Sequence, residues 1–300
     1  MTRQEAAERE ALSGLLFAVV AAVGFSGKAI LVKLAYREGV DSVTLLALRM
    51  VMSAPFFLAA ALWARRRQPG AIASRDWALI LALGLTGYYL SSYLDFLGLQ
   101  YISAGLERLI LFLYPTMTVL LAALLWRRPV GRQALAAMGL SYAGIVLVFL
   151  HDLGSVHGGT LLGAALVFGS TLSYSAYLVG AGHAIARVGA TRFTAYAMIV
   201  ASAASVLQFA ATRSPQAMHL SARAVALAAA MALFSTVLPV FLLSFAIRRI
   251  GAGRASLIGS IGPVSTILLA YVFLQEDVGP LQITGSVLVL AGVLLIGRSR

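Results

Sequence analysis

Five charged residues sit inside long apolar runs of this chain: Lys28, Arg49, Asp95, Glu107 and Arg108. On insertion scales each costs about 2.5 to 3.5 kcal/mol at a bilayer centre, so each should face protein and find a partner there. Buried groups of this kind can make and break ion pairs, or take up and release a proton. Glu107 is the first candidate for a coupling proton and Asp95 the second. Glu107 and Arg108 are adjacent, about 100° apart around a helix, and must find partners elsewhere. Two uses stay open. The charges are a scaffold that locks helices together, or an external gate in which Asp95 and Glu107 pair with Lys28, Arg49 or Arg108 when the outer side is closed.

Nearer mid-membrane the candidates are hydroxyls and rings: Tyr88, Tyr89, Ser92, Tyr114, Ser170, Tyr174, Ser235 and Ser260. Tyr88, Tyr89, Ser92 and Asp95 share one helical face in an apolar setting and read as a cavity-lining stripe. Tyr88, Tyr89, Ser92, Tyr114, Tyr174 and Ser260 are therefore the substrate-binding candidates, against the plainer alternative that small polar residues only join helices. Pro115 and Pro263 each remove a backbone hydrogen bond and free a carbonyl four residues earlier, which suits a ligand ammonium group. With Gly262 they form the candidate hinge.

Other chemistries fare worse. The four histidines lie in loops, at 151, 157 and 219, or at a helix end, at 183, so a histidine relay or a serine nucleophile with its base is not expected. Gly24, Phe25, Ser26 and Gly27 match a GxSG pattern but lack that base. Gly27 and Lys28 end like a phosphate loop, without its first glycine or its following hydroxyl residue. Nothing calls for a metal or cofactor, and no cysteine is present. A channel would want a ring of charges or a carbonyl filter, and neither is visible. The expectation is a gradient-driven carrier and not an enzyme. A channel-like facilitator is the alternative, an intramembrane enzyme a more distant one.

The elements that position these residues follow from composition. The 300 residues are 60% hydrophobic and 11% charged, far below the charge content of soluble domains, so the solvent is a membrane. Apolar runs predict ten transmembrane helices at 11–32, 43–64, 77–99, 102–126, 132–150, 159–181, 193–211, 222–247, 251–275 and 279–297. The net charge of +12 is not a nucleic-acid face, because its arginines are scattered through short loops. With the N-terminus inside, sixteen Lys and Arg fall on the cytoplasmic side, while only Lys33, Arg37, Arg213 and Arg223 fall outside. That asymmetry predicts both termini in the cytoplasm. The start of the chain lacks the pattern of a cleaved signal peptide.

The chain also repeats at an offset of 148. Ala104, Gly105, Leu109, Ile110 and Pro115 recur as Ala252, Gly253, Leu257, Ile258 and Pro263, and Val130, Gly131, Ala143 and Gly144 recur as Val278, Gly279, Ala291 and Gly292. At an offset of 149, Phe25 and Ser26 fall on Tyr174 and Ser175, and Lys28 on Tyr177. Five helices per half is an odd number, so the second half enters from the opposite side. The predicted fold is an all-α membrane protein of ten transmembrane helices in two inverted five-helix repeats, N-in and C-in. Its parts are a cytoplasmic tail at 1–10, a first repeat at 11–150 and a second at 159–297.

The segment SAGLERLILFLYPTMTVLLAALLW followed by GLSYAGIVLVFL, echoed by GAGRASLIGSIGPVSTILLAYVFLQED and SVLVLAGVLLIG, resembles the EamA group of the drug/metabolite transporter superfamily. The second half keeps the acidic end of that pattern at Glu276, whereas the first has Arg127 and Arg128 there. The resemblance implies a central cavity, gating by the third, fourth, eighth and ninth helices, and export of amino acids or similar metabolites across the bacterial inner membrane. The expected partners are a small-molecule substrate and the lipid bilayer.

Overall fold

The computed structural model describes residues 3–67, 70–126, 131–155, 159–259 and 261–297, and its regular elements are all helical. The α-helices are α1 (Arg3–Arg37), α2 (Ser42–Arg67), α3 (Ser74–Gly84), α4 (Ser91–Gly98), α5 (Ala104–Leu111), α6 (Tyr114–Trp126), α7 (Arg132–Ser155), α8 (Thr160–Val188), α9 (Ala190–Thr212), α10 (Ala222–Ala232), α11 (Leu238–Gly259), α12 (Ile261–Leu269) and α13 (Pro280–Gly297). Among the described residues seven helical stretches are long and apolar enough to cross a membrane, and Leu135–Leu150, Ile261–Leu274 and Pro280–Leu295 are shorter apolar helices. Large side chains such as Leu62, Trp63, Leu207 and Leu268 lie exposed on the outside of the bundle, as expected where lipid and not water is the neighbour.

Several helices depart from the sequence expectation, each for a local reason. One turn of wider, π-type helix joins α3 to α4 at Leu85–Leu90, and another joins α10 to α11 at Leu233–Val237, at equivalent points of the 148-residue repeat. The predicted helix 102–126 breaks at Phe112 and Leu113, which lets Pro115 fall in the first turn of α6, where its missing N–H costs nothing. Pro263 is the third residue of α12 as described, and Ser260 before that helix lies outside the described residues. The predicted end at 150 moves to Ser155, so His151 belongs to α7 and not to a loop.

Helical residues follow one another without a gap across the predicted break at 247–251, within α11. The chain nevertheless doubles back there. Pro239 packs on Gly24, Ile250 packs on Gly14, and Gly262 returns to Ser26, so the path runs down α1 and then up again.

Helix pairing follows the repeat. α7 packs along α13 and α2 along α9, while α1 lies against α11 and α12 as α8 lies against α4 and α6. The tightest crossing is made by glycine: a Cβ on Gly144 would overlap the Gly285 carbonyl, and one on Gly292 would meet the Ala137 carbonyl at 2.6 Å and overlap the Ser141 hydroxyl. Such close approach is how membrane helices associate without a hydrophobic driving force. Ion pairs fasten the ends. Asp76 meets Arg187 at 2.7 Å at one end of the bundle, and Glu38 meets Arg223 at 3.3 Å at the other.

Asp41 starts α2 by accepting from the N–H groups of Val43 and Thr44 at 3.0 and 3.3 Å, and from Arg213 Nε at 3.0 Å. Burial alone would raise its pKa, but hydrogen bonds from Thr44 and Arg213 and the nearby guanidinium charge together hold it below the usual value.

Candidate functional site

The charged layer is assembled by the α4–α5 hairpin. Its turn, residues 99–103, brings Asp95 near the end of α4 beside Glu107 near the start of α5, and Lys28 of α1 reaches both. Lys28 Nζ lies 2.5 Å from Asp95 Oδ2 and 3.1 Å from Glu107 Oε1. Glu107 is fully buried, Asp95 is 2% exposed and Arg49 is 5% exposed, so little water screens this group.

The other two cations go elsewhere. Arg49 Nη2 donates to Ser92 Oγ at 2.9 Å, and its guanidinium lies over the Phe96 ring at 4.8 Å. Arg108 turns away from Glu107 and packs on Gly262 of α12, where any Cβ would overlap its guanidinium. The result is one ammonium shared by two carboxylates. Asp95 Oδ1 and Glu107 Oε2 receive no donor among the described residues, and Arg49 Nε finds no acceptor there.

The π-type turn at Leu85–Leu90 divides the predicted stripe, because an extra residue in one turn rotates the later part of the helix relative to the earlier part. Ser92 and Asp95 face α2 and α1. Tyr88 instead faces α8, with its hydroxyl 2.8 Å from that of Tyr177, and Tyr89 stacks on Tyr93 with ring centroids 6.4 Å apart. Tyr177 continues to Tyr174 at 5.5 Å and Tyr174 to Tyr114 at 5.7 Å, so four tyrosines form one connected group. Tyr177 was missing from the sequence candidates, although its equivalence to Lys28 marks it as a position where the two halves differ in kind.

Two serines make equivalent contacts in the two halves, each to the residue before a proline. Ser26 Oγ donates to the Gly262 carbonyl at 3.0 Å, and Ser175 Oγ donates to the Tyr114 carbonyl at 3.2 Å. Ser170 and Ser91 exchange hydrogen bonds between α8 and α4, while Ser235 is buried in the second π-type turn. Ser260 lies outside the described residues. Among the described residues no group of three His, Asp or Glu could hold a metal ion.

A second polar group was not foreseen. Both carboxylate oxygens of Glu276 accept the N–H of Ala104 at the start of α5, each at 3.0 Å, and Lys33 Nζ lies 3.3 Å from Glu276 Oε1. A cavity of 260 Å³ adjoins it, lined by Lys33, Tyr36, Arg37, Leu99, Gln100 and Glu276. A larger cavity of 490 Å³ lies between the end of α2 and the start of α9 and contains none of the candidate residues.

Comparison with known proteins agrees with this architecture. The model of the EamA-like transporter family matches residues 12–150 and 161–298. The uncharacterized transporter YcbK of Bacillus subtilis is 32% identical over 282 residues, which are 92% of this chain and 90% of the relative. The uncharacterized transporter sll1319 of Synechocystis is 26% identical over 212 residues, covering 71% of this chain and 64% of the relative. An uncharacterized transporter of Archaeoglobus fulgidus is 23% identical over 226 residues, covering 75% and 79%. A solved crystal structure at 19% identity superposes with a TM-score of 0.63 over 94% of this chain and 96% of that one, a likeness of fold.

Proposed function

Since the chain belongs to the EamA-like transporter family of membrane proteins, we propose that it is a secondary transporter that exports amino acids across the bacterial inner membrane by alternating access. Ten helices form two inverted repeats, at 11–150 and 159–297, after a short cytoplasmic tail at 1–10, with both termini inside. The reciprocal packing of α1 on α11 and α12, and of α8 on α4 and α6, supports this reading, because a twofold axis in the membrane plane would generate one set from the other.

The observation that carries the substrate class is the set of buried groups left over around Lys28. Among the described residues Glu107 Oε2 and Asp95 Oδ1 lack a donor and Arg49 Nε lacks an acceptor. A zwitterion supplies one of each, its ammonium to the carboxylates and its carboxylate to the guanidinium. Tyr88, Tyr89, Ser92, Tyr114, Tyr174 and Ser260 form the binding surface for the rest of the solute. Lys28, Arg49, Asp95, Glu107 and Arg108 act as gate or coupling charges, and Pro115, Gly262 and Pro263 as the hinge.

The test is uptake of labelled amino acids into liposomes that hold the purified protein. Wild type is compared with Tyr88→Ala and Glu107→Gln, with and without a pH gradient. Saturable uptake that is lost in both variants supports the carrier and its site. No uptake of any amino acid under either condition rejects this substrate class.

A further inference from the structure

The proposed cycle needs a seal on the outer side, and Glu276 has the contacts to provide one. This inference rests on the transport reading and orientation given above. Gln275 ends the ninth apolar segment in a left-handed conformation, with φ +58°, that a residue with a side chain rarely adopts. The turn it makes carries Glu276 across to the first half of the chain. There its carboxylate binds the first N–H of α5, beside the Ser103 hydroxyl that already accepts from Leu106 N at 3.0 Å. A carboxylate is the favoured ligand of a helix start, where unpaired N–H groups and the positive end of the helix dipole meet it.

Two cations of α1 complete the closure. Lys33 Nζ reaches the same carboxylate, and Arg37 Nη2 donates to the Leu274 carbonyl at 2.7 Å. Three segments, the end of α1, the start of α5 and the end of the ninth apolar segment, are therefore tied at one point. The 260 Å³ cavity around Lys33, Arg37 and Glu276 adjoins that tie.

The repeat adds an asymmetry. Ala252 stands at the position equivalent to Ala104, but Arg128 stands where the equivalent of Glu276 would be. Arg128 lies outside the described residues and Ala252 lies within α11, and the sequence offers no second carboxylate at this place of the repeat. We propose that Glu276 is the latch of the outer gate, tying Lys33 and the α5 start together, and that without a carboxylate counterpart on the cytoplasmic side the carrier rests open to the cytoplasm.

The absence of cysteine makes the test clean, since a single introduced thiol reports alone. Thr266→Cys places a thiol at a buried site next to Ser26, on the membrane side of the latch. A membrane-impermeant maleimide is applied to right-side-out and inverted vesicles, and Gln216→Cys in the exposed loop before α10 reports orientation. The expected result is slow labelling of Thr266→Cys from outside and faster labelling from inside. Adding Glu276→Gln should raise the outside rate roughly tenfold, in line with the loss of a charge-assisted contact present in only one state.

Equal outside rates with and without Glu276→Gln overturn the latch. If that variant does not accumulate in membranes, Lys33→Met is used in the same assay, and an unchanged rate there overturns it equally. The assay uses no substrate, so a failed amino-acid flux leaves its result intact. Labelling of Gln216→Cys only in inverted vesicles would overturn the orientation, and the outer assignment of the latch with it.

Discussion

Ser26 and Ser175 make the same hydrogen bond in opposite halves of the chain. The first donates to the Gly262 carbonyl and the second to the Tyr114 carbonyl, and each acceptor immediately precedes a proline, Pro263 and Pro115. The two serines are 149 positions apart and the two acceptors 148. Each serine also donates to the carbonyl four residues before it, at 2.7 Å, so both hydroxyls sit in bifurcated positions between helices. Replacing either by alanine should lower stability by about 0.5 to 1.5 kcal/mol, and the double variant should lose close to the sum, since the sites do not touch. Unfolding in mixed micelles measures this; a strongly non-additive pair would mean the two proline segments move as a unit.

Among the described residues Lys28 is the one ammonium shared by Asp95 and Glu107, so its removal strands two buried carboxylates. Lys28→Met should destabilise by about 3 to 5 kcal/mol, more than either Asp95→Asn or Glu107→Gln alone. The triple variant Lys28→Met, Asp95→Asn, Glu107→Gln should recover much of that loss. Thermal denaturation in detergent measures the series, and a triple variant no better than Lys28→Met would refute the account of the triad as mutually compensating.

If the charge layer gates the outer side, neutralising Asp95 alone should favour the outward-open form. Asp95→Asn should then raise outside labelling of a cavity thiol without a change in the amount of protein in the membrane. A scaffold would instead give lower protein levels and unaltered accessibility, so the two measurements together decide between gate and framework.

Asp41 makes an acid-dependent contribution that can be predicted in sign. Its pKa in the fold lies below the ordinary 3.8, so its contribution is present above that value and is lost as pH falls through the folded pKa. Asp41→Asn keeps a helix cap but removes the titration, and should flatten the acid limb of the stability profile below about pH 4. Asp41→Ala should cost about 1 kcal/mol at neutral pH as well. An acid limb identical in wild type and Asp41→Asn would assign that limb to other carboxyls.

Gly144 cannot carry a side chain without pushing α7 away from α13, because the atom in the way is backbone. Gly144→Ala should therefore destabilise by about 1 to 3 kcal/mol, while Gly139→Ala on the same helix, with open space around it, should be neutral or slightly stabilising. Melting temperatures of the two variants provide the comparison.

The helical membrane class was legible because long apolar runs have no other use, and the repeat because proline and glycine recur at fixed spacing. The partners of the charges were not legible. Sequence could say that Glu107 and Arg108 diverge, but not that Arg108 would settle on Gly262, 154 positions away, or that Arg49 would choose Ser92 and Phe96. The stripe of Tyr88, Tyr89, Ser92 and Asp95 assumed a regular helix, and one π-type turn split it. Glu276 was noted as a departure between the halves but given no task, because its partner N–H is 172 positions away and a backbone donor leaves no mark in composition.

The end-fastening ion pairs bear on how such a chain could assemble from pieces. Glu38 and Asp76 are both acidic and both in the first half, whereas Arg187 and Arg223 are both basic and both in the second; each pair joins one of each. At the repeat offset of 148, a second copy of the first half would put Gly39 in the place of Arg187 and Arg75 in the place of Arg223, while a second copy of the second half would put Ala186 and Ala224 in the places of Glu38 and Asp76. Co-expressed as separate polypeptides, the halves would thus keep both ties only as a heterodimer.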